Sequence, residues 1–183
     1  PEAFSTRFRV DVRTENEVIF IDRKRKIVTV RQSSGDTYEE SYDKLLISTG
    51  ASPVRPPLPG IDLNGIFTLR NVTDTDRIKE YINSHAPRKA VVIGAGFIGL
   101  EMVEALVKRG LNVNVVEMMP HVMGVMEAET AGFIETEMLS YGVGILTGAG
   151  VTEILPRSVK LNNGKQLDAD MVLLSIGVRP TLQ

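Results

Sequence analysis

The sequence predicts an α/β fold with a parallel β-α-β-α-β sheet, and three observations support this class. First, the apolar residues 91–93 run directly into a G-x-G-x-x-G motif that begins at Gly94. Second, a helical pattern follows the motif, and a further apolar segment over residues 113–116 ends in Glu117, 23 positions after Gly94. Third, strand and helix patterns alternate once more up to residue 147, as a parallel sheet requires.

Each glycine of the motif has its own structural reason. Gly94 permits a tight turn from strand to helix, Gly96 lets backbone N–H groups approach a phosphate, and Gly99 permits close packing of helix and strand. A pyrophosphate is favoured at the helix N-terminus by free N–H groups and the helix dipole. An acid at the position of Glu117 accepts hydrogen bonds from adenosine ribose hydroxyls. The motif therefore predicts a dinucleotide site, and the alternative is a turn that only packs a helix on a sheet.

The residues around Glu117 indicate which nucleotide is preferred. A carboxylate repels the 2′-phosphate of NADP(H), and the following Met118, Met119 and Pro120 include no Arg that could bind it. We therefore expect NAD(H), with NADP(H) as the alternative.

Composition excludes several function classes. The 183 residues are 43% hydrophobic with a net charge of −2, which fits a globular chain of one or two domains and not a nucleic-acid surface. No apolar run approaches the roughly 18 residues of a membrane span, and no signal segment is present, so we expect a cytoplasmic protein. The absence of cysteine excludes disulfides, thiolate metal sites and a cysteine nucleophile within these residues.

The N-terminal part is predicted to be β-rich. A period of two over residues 8–12, 18–21 and 27–30 predicts short antiparallel strands. The basic run at residues 23–26 is interpreted as a solvated hairpin turn, and a nucleic-acid contact is the alternative. Residues 42–51 are predicted to form a buried strand that ends near a glycine.

The central part is predicted to contain the complete nucleotide unit. A helix is expected to begin at a capping box formed by residues 73–76, and a second one is expected over residues 127–141. A β-meander over residues 151–167 follows, and residues 170–177 are predicted to form another buried strand ending in Gly177. Because this last segment resembles residues 42–51, one domain is predicted to be inserted into another.

These segments together resemble the pyridine nucleotide-disulfide oxidoreductase family of flavoproteins. Residues 46–53 resemble its A-T-G segment, with Ser48 in place of the usual Ala, and residues 59–61, 68–70 and 178–180 are further similar segments. The nucleotide motif resembles most the branch of CoA-disulfide reductases, NADH oxidases and NADH peroxidases. The resemblance implies a division into a partial FAD-binding domain with linker at 1–71, an NAD(P)-binding domain at 72–177, and a return to the FAD domain at 178–183.

The resemblance also implies roles for individual residues. NAD(P)H would bind the glycine motif and pass its hydride to FAD, which reduces a cysteine centre acting on CoA-disulfide, oxygen or peroxide. Phe97 lies where relatives carry a Tyr that covers the flavin. Contacts to the nicotinamide nucleotide are implied for Ile98, Glu101, Glu117, Met126 and Gly177. Contacts to FAD are implied for Thr49, Gly50, Ala51 and Arg70.

Several parts of the family pattern have no counterpart in the sequence. These are the N-terminal FAD glycine motif, the redox-active Cys, the later Gly-Asp pair and the C-terminal dimerisation domain. We therefore expect a catalytically inert piece of a longer, homodimeric enzyme. The alternative function is a non-catalytic module that binds or senses a dinucleotide. His85 and His121 lack a second ligand at metal spacing, so we interpret them as surface or loop residues.

Overall fold

A computed structural model describes residues 2–181 of the chain and contains two compact units, one ending at Ser48 and the other beginning at Thr49. The first unit begins with a short helix, α1 (Glu2–Phe8). An antiparallel meander in the order β1-β2-β3 follows, formed by β1 (Asn16–Asp22), β2 (Ile27–Gln32) and β3 (Thr37–Ser41). The predicted turn at residues 23–26 is confirmed, because the Asp22 carboxylate accepts N–H bonds from Lys24 and Arg25, each at 2.9 Å.

Two predicted strands of the N-terminal region are wrong. Residues 8–12 were expected to be extended, but Phe8 ends α1 and Arg9 has a left-handed φ of 54°, which interrupts an extended run. Residues 42–50 form no strand within the described part of the chain, and Leu46 and Ile47 are 89% and 61% exposed. An apolar pattern makes a strand only where a neighbouring backbone satisfies its N–H and C=O groups.

The second unit contains the parallel sheet. Its strands are β5 (Ile66–Thr68), β6 (Lys89–Ile93), β7 (Asn112–Val116), β8 (Gly144–Leu146) and β12 (Met171–Leu174). They follow the order β5-β12-β6-β7-β8, and every neighbouring pair is parallel. The helices are α2 (Val72–His85), α3 (Phe97–Lys108) and α4 (Ala128–Ser140). The predicted α/β class, Rossmann-like sheet and appended meander are confirmed.

Two hydrophobic clusters cover the two faces of this sheet. Alternate strand residues such as Val92 and Leu173 pack with Val103 and Leu106 of α3 and with residues of α2 and α4. The strand residues that face the other side of the sheet pack against an antiparallel meander. This meander is formed by β9 (Val151–Leu155), β10 (Ser158–Leu161) and β11 (Gln166–Asp168). Both faces are apolar because both are covered, which explains the continuous apolar runs of the central strands.

The segments that bracket the nucleotide unit meet in a small antiparallel pair. Strand β4 (Ala51–Pro53) pairs with β13 (Val178–Pro180), with Arg179 opposite Ser52. The segments on either side of the nucleotide unit therefore lie beside each other within the second unit.

The start of α2 differs from the prediction. Asn71, and not Thr73, is the N-cap: it is extended, its side chain accepts the Asp74 N–H at 3.0 Å, and Asp74 bonds back to the Asn71 N–H at 3.3 Å. Thr73 already has helical neighbours on both sides.

Among residues 2–181, no helix is both long and apolar enough to cross a membrane.

Candidate dinucleotide site at the carboxyl edge of the sheet

The candidate site lies where β6, β7 and β12 end side by side. Ile93 is opposite Val116 on one side and Leu174 on the other, so the turns that follow these strands share one edge of the sheet. Open α/β sheets bind ligands at this carboxyl edge. The glycine turn, Glu117 and Gly177 therefore lie at the same edge, as the sequence pattern requires.

The three motif glycines have distinct geometry. Gly94 has a φ of 99°, and a Cβ there would lie 2.3 Å from the Ser175 carbonyl oxygen. A Cβ on Gly99 would lie 2.1 Å from the Gly94 carbonyl oxygen, so helix and turn touch at this point. A Cβ on Gly96 would meet no atom within 4 Å. Gly94 and Gly99 are thus required by the fold, whereas the space at Gly96 is open.

The open space at Gly96 coincides with an uncapped helix end. Gly96 is the N-cap residue of α3 and provides no side-chain hydrogen bond to the first turn. The first turn of a helix carries N–H groups without intrahelical partners, which bind anions. The residues present therefore fit a pyrophosphate: a position without side chain and a helix N-terminus meet at one edge of the sheet.

Glu117 is held beside this turn by two backbone hydrogen bonds. Its Oε2 accepts the Ala95 N–H at 2.7 Å, and its Oε1 accepts the Met119 N–H at 2.8 Å. The side chain is half-buried, and each carboxylate oxygen has a further lone pair for another donor. The carboxylate is therefore fixed in place and retains the capacity to accept ribose hydroxyls.

A loop over residues 118–126 packs against the glycine turn, which the sequence pattern did not predict. Met123, buried with a φ of 49°, donates its N–H to the Ala95 carbonyl at 2.8 Å. Glu135 of α4 accepts the Val122 N–H at 3.1 Å, and the half-buried Met126 donates to the Met123 carbonyl at 2.7 Å. The bonds from Met123 to Ala95 and from Val122 to Glu135 join residues far apart in the sequence, so no periodicity indicates them.

The residues predicted to contact the nicotinamide, and Phe97, which is predicted to cover the flavin, differ in their exposure to solvent. Phe97 and Ile98 begin α3 and are 65% and 44% exposed. Glu101 is exposed one turn further along the helix, and Gly177, with a φ of 109°, is exposed after β12. An aromatic ring and an apolar side chain are thus presented to solvent next to the open end of α3.

The predicted FAD contacts cluster around the β4–β13 pair. Arg70 donates from Nη1 to Ser52 Oγ at 3.2 Å, and its Nη2 lies 3.2 Å from where a Cβ of Gly50 would be. Thr181 donates its N–H to the Gly50 carbonyl at 2.9 Å and accepts a bond from the Thr49 hydroxyl. Thr49, Gly50 and Arg70 are therefore brought together with Ala51, the first residue of β4, although residue 70 is distant from them in sequence.

The clearest electrostatic feature of the sheet lies at its opposite, amino edge. The N–H of Arg88, helped by the Lys89 N–H and the Arg157 guanidinium, lowers the pKa of the Asp170 carboxyl below its ordinary value. Asp170, which precedes β12, thus hydrogen-bonds the backbone at the start of β6. It lies at the edge of the sheet opposite the candidate nucleotide site.

Both histidines contact neighbouring residues in the described part of the chain. His85 stacks on Tyr81, with ring centroids 4.2 Å apart, and His121 hydrogen-bonds the Val122 carbonyl at 2.8 Å. The described residues include no group of three or more His, Cys, Asp or Glu side chains arranged to hold a metal ion.

Comparison with known proteins decides the family. The family model described as pyridine nucleotide-disulphide oxidoreductase matches residues 2–183. The chain belongs to this family. The resemblance inferred from the sequence motifs is therefore confirmed.

Two curated relatives show how much of a full-length protein the chain represents. The NADH oxidase of Methanocaldococcus jannaschii is 34% identical and is matched over 100% of this chain and 42% of its own length. The Coenzyme A disulfide reductase of Staphylococcus haemolyticus is 34% identical over 98% of this chain and 40% of its own length. The chain thus spans about two fifths of these relatives.

A solved structure with a higher sequence identity than these two relatives supports the fold. The reduced CoADR-RHD of Bacillus anthracis superposes with a TM-score of 0.89 at 42% identity, covering 98% of this chain and 33% of that one. At this identity the match supports the family assignment as well as the architecture.

Proposed function

We propose that the chain is the NAD(H)-binding part of an FAD-dependent pyridine nucleotide-disulfide oxidoreductase. In the complete enzyme, electrons from NAD(P)H would reach a cysteine centre that reduces CoA-disulfide, with oxygen or peroxide as the alternative acceptors. The observation that carries the proposal is the combination of an open, uncapped glycine turn at Gly96 with the fixed carboxylate of Glu117 beside it. A dinucleotide requires both, one for its pyrophosphate and one for its ribose.

Different residues of the chain bind different parts of the nucleotide. The N–H groups at the start of α3 bind the pyrophosphate, and Glu117 accepts the ribose hydroxyls. Ile98, Glu101, Met126 and Gly177 contact the nicotinamide half. A carboxylate at the ribose excludes a 2′-phosphate, which favours NADH over NADPH.

A second set of residues serves the flavin. Thr49, Gly50, Ala51 and Arg70 contact FAD, and Phe97 covers the flavin from the side on which the nicotinamide arrives. Its ring is 65% exposed and offers a flat apolar face, which suits stacking on an aromatic ring system. When both groups are bound, the nicotinamide supplies a hydride and the flavin passes on its electron pair.

The thiol chemistry lies outside these residues. The sequence has no cysteine, so the 183 residues on their own cannot form a thiolate or a disulfide. We propose that this chain binds nucleotide without turning over a disulfide substrate. The homodimer and the cytoplasmic location expected from the sequence stay predictions.

Calorimetric titration with NADH and NADPH tests the nucleotide site. We expect saturable NADH binding that is abolished in Gly96→Val, whose side chain would occupy the open cradle, and about tenfold weaker in Glu117→Ala, through loss of the ribose contacts. Gly132→Val is the matched control, because Gly132 on α4 is also open, with no atom within 4 Å of an added Cβ. Equal binding by both glycine variants would contradict the proposal.

The proposed domain boundaries have a separate test. Residues 72–177 are assigned to the nucleotide domain, and residues 1–71 and 178–183 to the FAD domain. Limited proteolysis with N-terminal sequencing should yield a protected core that begins near residue 72. Strand β5 pairs with β12 of the proposed nucleotide domain. A protected core that begins before residue 66 would include β5 and would therefore move the domain boundary towards the N-terminus.

A second candidate is a non-catalytic module that binds or senses a dinucleotide, for which the nucleotide edge alone would suffice. Translation of the coding sequence on either side separates the two. A flanking FAD glycine motif with a Cys supports the reductase, and flanking stop codons support the module.

A further inference from the structure

Two adjacent methionines next to Glu117 are far more exposed than the buried methionines of the chain. Met118 and Met119 are 77% and 50% exposed, whereas Met123, Met138 and Met171 are 3%, 9% and 1% exposed. Thioether oxidation requires contact of the sulfur with a dissolved oxidant. The exposed pair is therefore the chain's most accessible target for two-electron oxidation.

The backbone holds this pair between two loops at the nucleotide edge. Met119 donates its N–H to Glu117 Oε1 at 2.8 Å and accepts the Gly148 N–H on its carbonyl at 2.9 Å. The Ala149 N–H donates to the Glu117 carbonyl at 3.0 Å. The loops after β7 and β8 thus form one continuous surface beyond the ribose position.

The Met118 side chain extends over that surface. Its Cγ and Sδ lie 3.6 and 3.8 Å from where a Cβ of Gly150 would be, so the thioether rests on the turn after β8. In the proposed site the pyrophosphate lies at α3 and the ribose at Glu117. The adenine attached to that ribose would lie against the residues that follow Glu117, where it would contact the apolar thioethers.

We propose that Met118 and Met119 form an oxidation site through which hydrogen peroxide lowers the affinity for the nucleotide. The proposal rests on the proposed NAD(H) site. In the reaction a sulfur lone pair attacks one peroxide oxygen, the O–O bond breaks, and a sulfoxide forms. The sulfur loses two electrons, peroxide is reduced, and the second oxygen leaves as water with both protons.

The physical effect follows from the polarity of the product. A sulfoxide is polar and chiral, and it must give up hydrating water to contact an adenine ring. Its oxygen also carries partial negative charge, on residues one and two positions after Glu117 in the chain. Both effects weaken the adenosine half of the site and leave the pyrophosphate cradle at Gly96 unchanged.

The test combines peptide mass spectrometry with calorimetry before and after peroxide treatment, with the oxidant removed by desalting. We expect Met118 and Met119 to be oxidised at least about tenfold faster than Met138 and Met171. The dissociation constant for NADH should then rise about fivefold. Methionine sulfoxide reductases A and B should restore it.

Two variants show whether these sulfurs cause the change. In a Met118→Leu, Met119→Leu double variant, peroxide should leave the variant's own NADH affinity unchanged. In Met138→Leu, which removes a buried sulfur outside the nucleotide edge, the fivefold loss should persist.

Two results would overturn the proposal: oxidation of the pair no faster than that of the buried methionines, or full oxidation without loss of NADH affinity. Failure of the untreated chain to bind NADH would instead contradict the proposed function. The proposed effect of oxidation on NADH affinity would then be contradicted as well. The mass spectra would still decide whether the pair is the preferred oxidation site.

Discussion

The Glu117 carboxylate bonds to the Ala95 N–H at 2.7 Å, so the end of β7 holds the glycine turn that follows β6. Ala95 is fully buried, and its carbonyl accepts the Met123 N–H at 2.8 Å. Both backbone groups of Ala95 are therefore paired within the protein. The protein's own groups thus hold the turn in shape, and Glu117 has a structural role in addition to its proposed contact with ribose.

Removal of the Glu117 carboxylate should destabilise the chain even without nucleotide. Glu117→Ala leaves the buried Ala95 N–H without an acceptor, which costs about 1–3 kcal/mol. Urea unfolding measures the loss. Glu137→Ala is the control, because Glu137 is exposed on α4 and its removal should change stability by less than about 0.5 kcal/mol. Equal stability of the two variants would show that the carboxylate acts only on the ligand.

A methyl group at Gly99 should disturb the packing of α3 on the glycine turn. The added Cβ would lie 2.1 Å from the Gly94 carbonyl oxygen, so the backbone must move at a cost of about 1–3 kcal/mol. Thermal unfolding of Gly99→Ala measures this cost. Gly132→Ala places the same methyl group in open space on α4 and should stabilise the helix by up to about 1 kcal/mol. Similar effects in both variants would contradict the close contact.

The N-cap of α2 should depend on Asn71 and not on Thr73. Asn71→Ala removes the acceptor for the Asp74 N–H and should cost about 1 kcal/mol in urea unfolding. Thr73→Ala, two residues further along and within the helix, should be neutral or slightly stabilising. The reverse order of the two effects would place the helix start at residue 73.

Acid should remove the stabilisation that Asp170 provides. Its pKa is lowered from the ordinary 3.8, chiefly by the Arg88 N–H, because the folded state favours the charged carboxylate. This contribution is complete above the ordinary value and is lost as the pH falls through the lower, folded pKa. The stability difference between the parent chain and Asp170→Asn should therefore be about 1–2 kcal/mol at neutral pH and shrink in acid.

Midpoints of urea unfolding, measured from neutral pH to well below pH 3.8 so that they pass the lowered pKa of Asp170, test this dependence. Asp76→Asn, an exposed carboxylate on α2, is the control. A difference between Asp170→Asn and the parent that does not change with pH would show that the carboxylate contributes through packing alone.

Local patterns predicted much of the second unit. The apolar run before Gly94 became the buried strand β6, and the acid after the next run, Glu117, lies beside the turn. These features depend on residues close together in sequence and on the two-residue and 3.6-residue periods. The same patterns failed at Leu46, where an apolar run meets no strand partner among residues 2–181 and remains 89% exposed.

The sequence by itself determined the order of strands and helices from β6 to β8, the conformations that need glycine, and the absence of cysteine chemistry within these 183 residues. Three contacts were decided by the tertiary structure alone. Met123 donates its N–H to the Ala95 carbonyl, Glu135 accepts the Val122 N–H, and the Arg70 guanidinium lies beside Gly50. The physical reason is that dihedral preferences and periodicity act between near neighbours. Contacts between residues far apart in the sequence exist only after the packed sheet and helices bring those residues together.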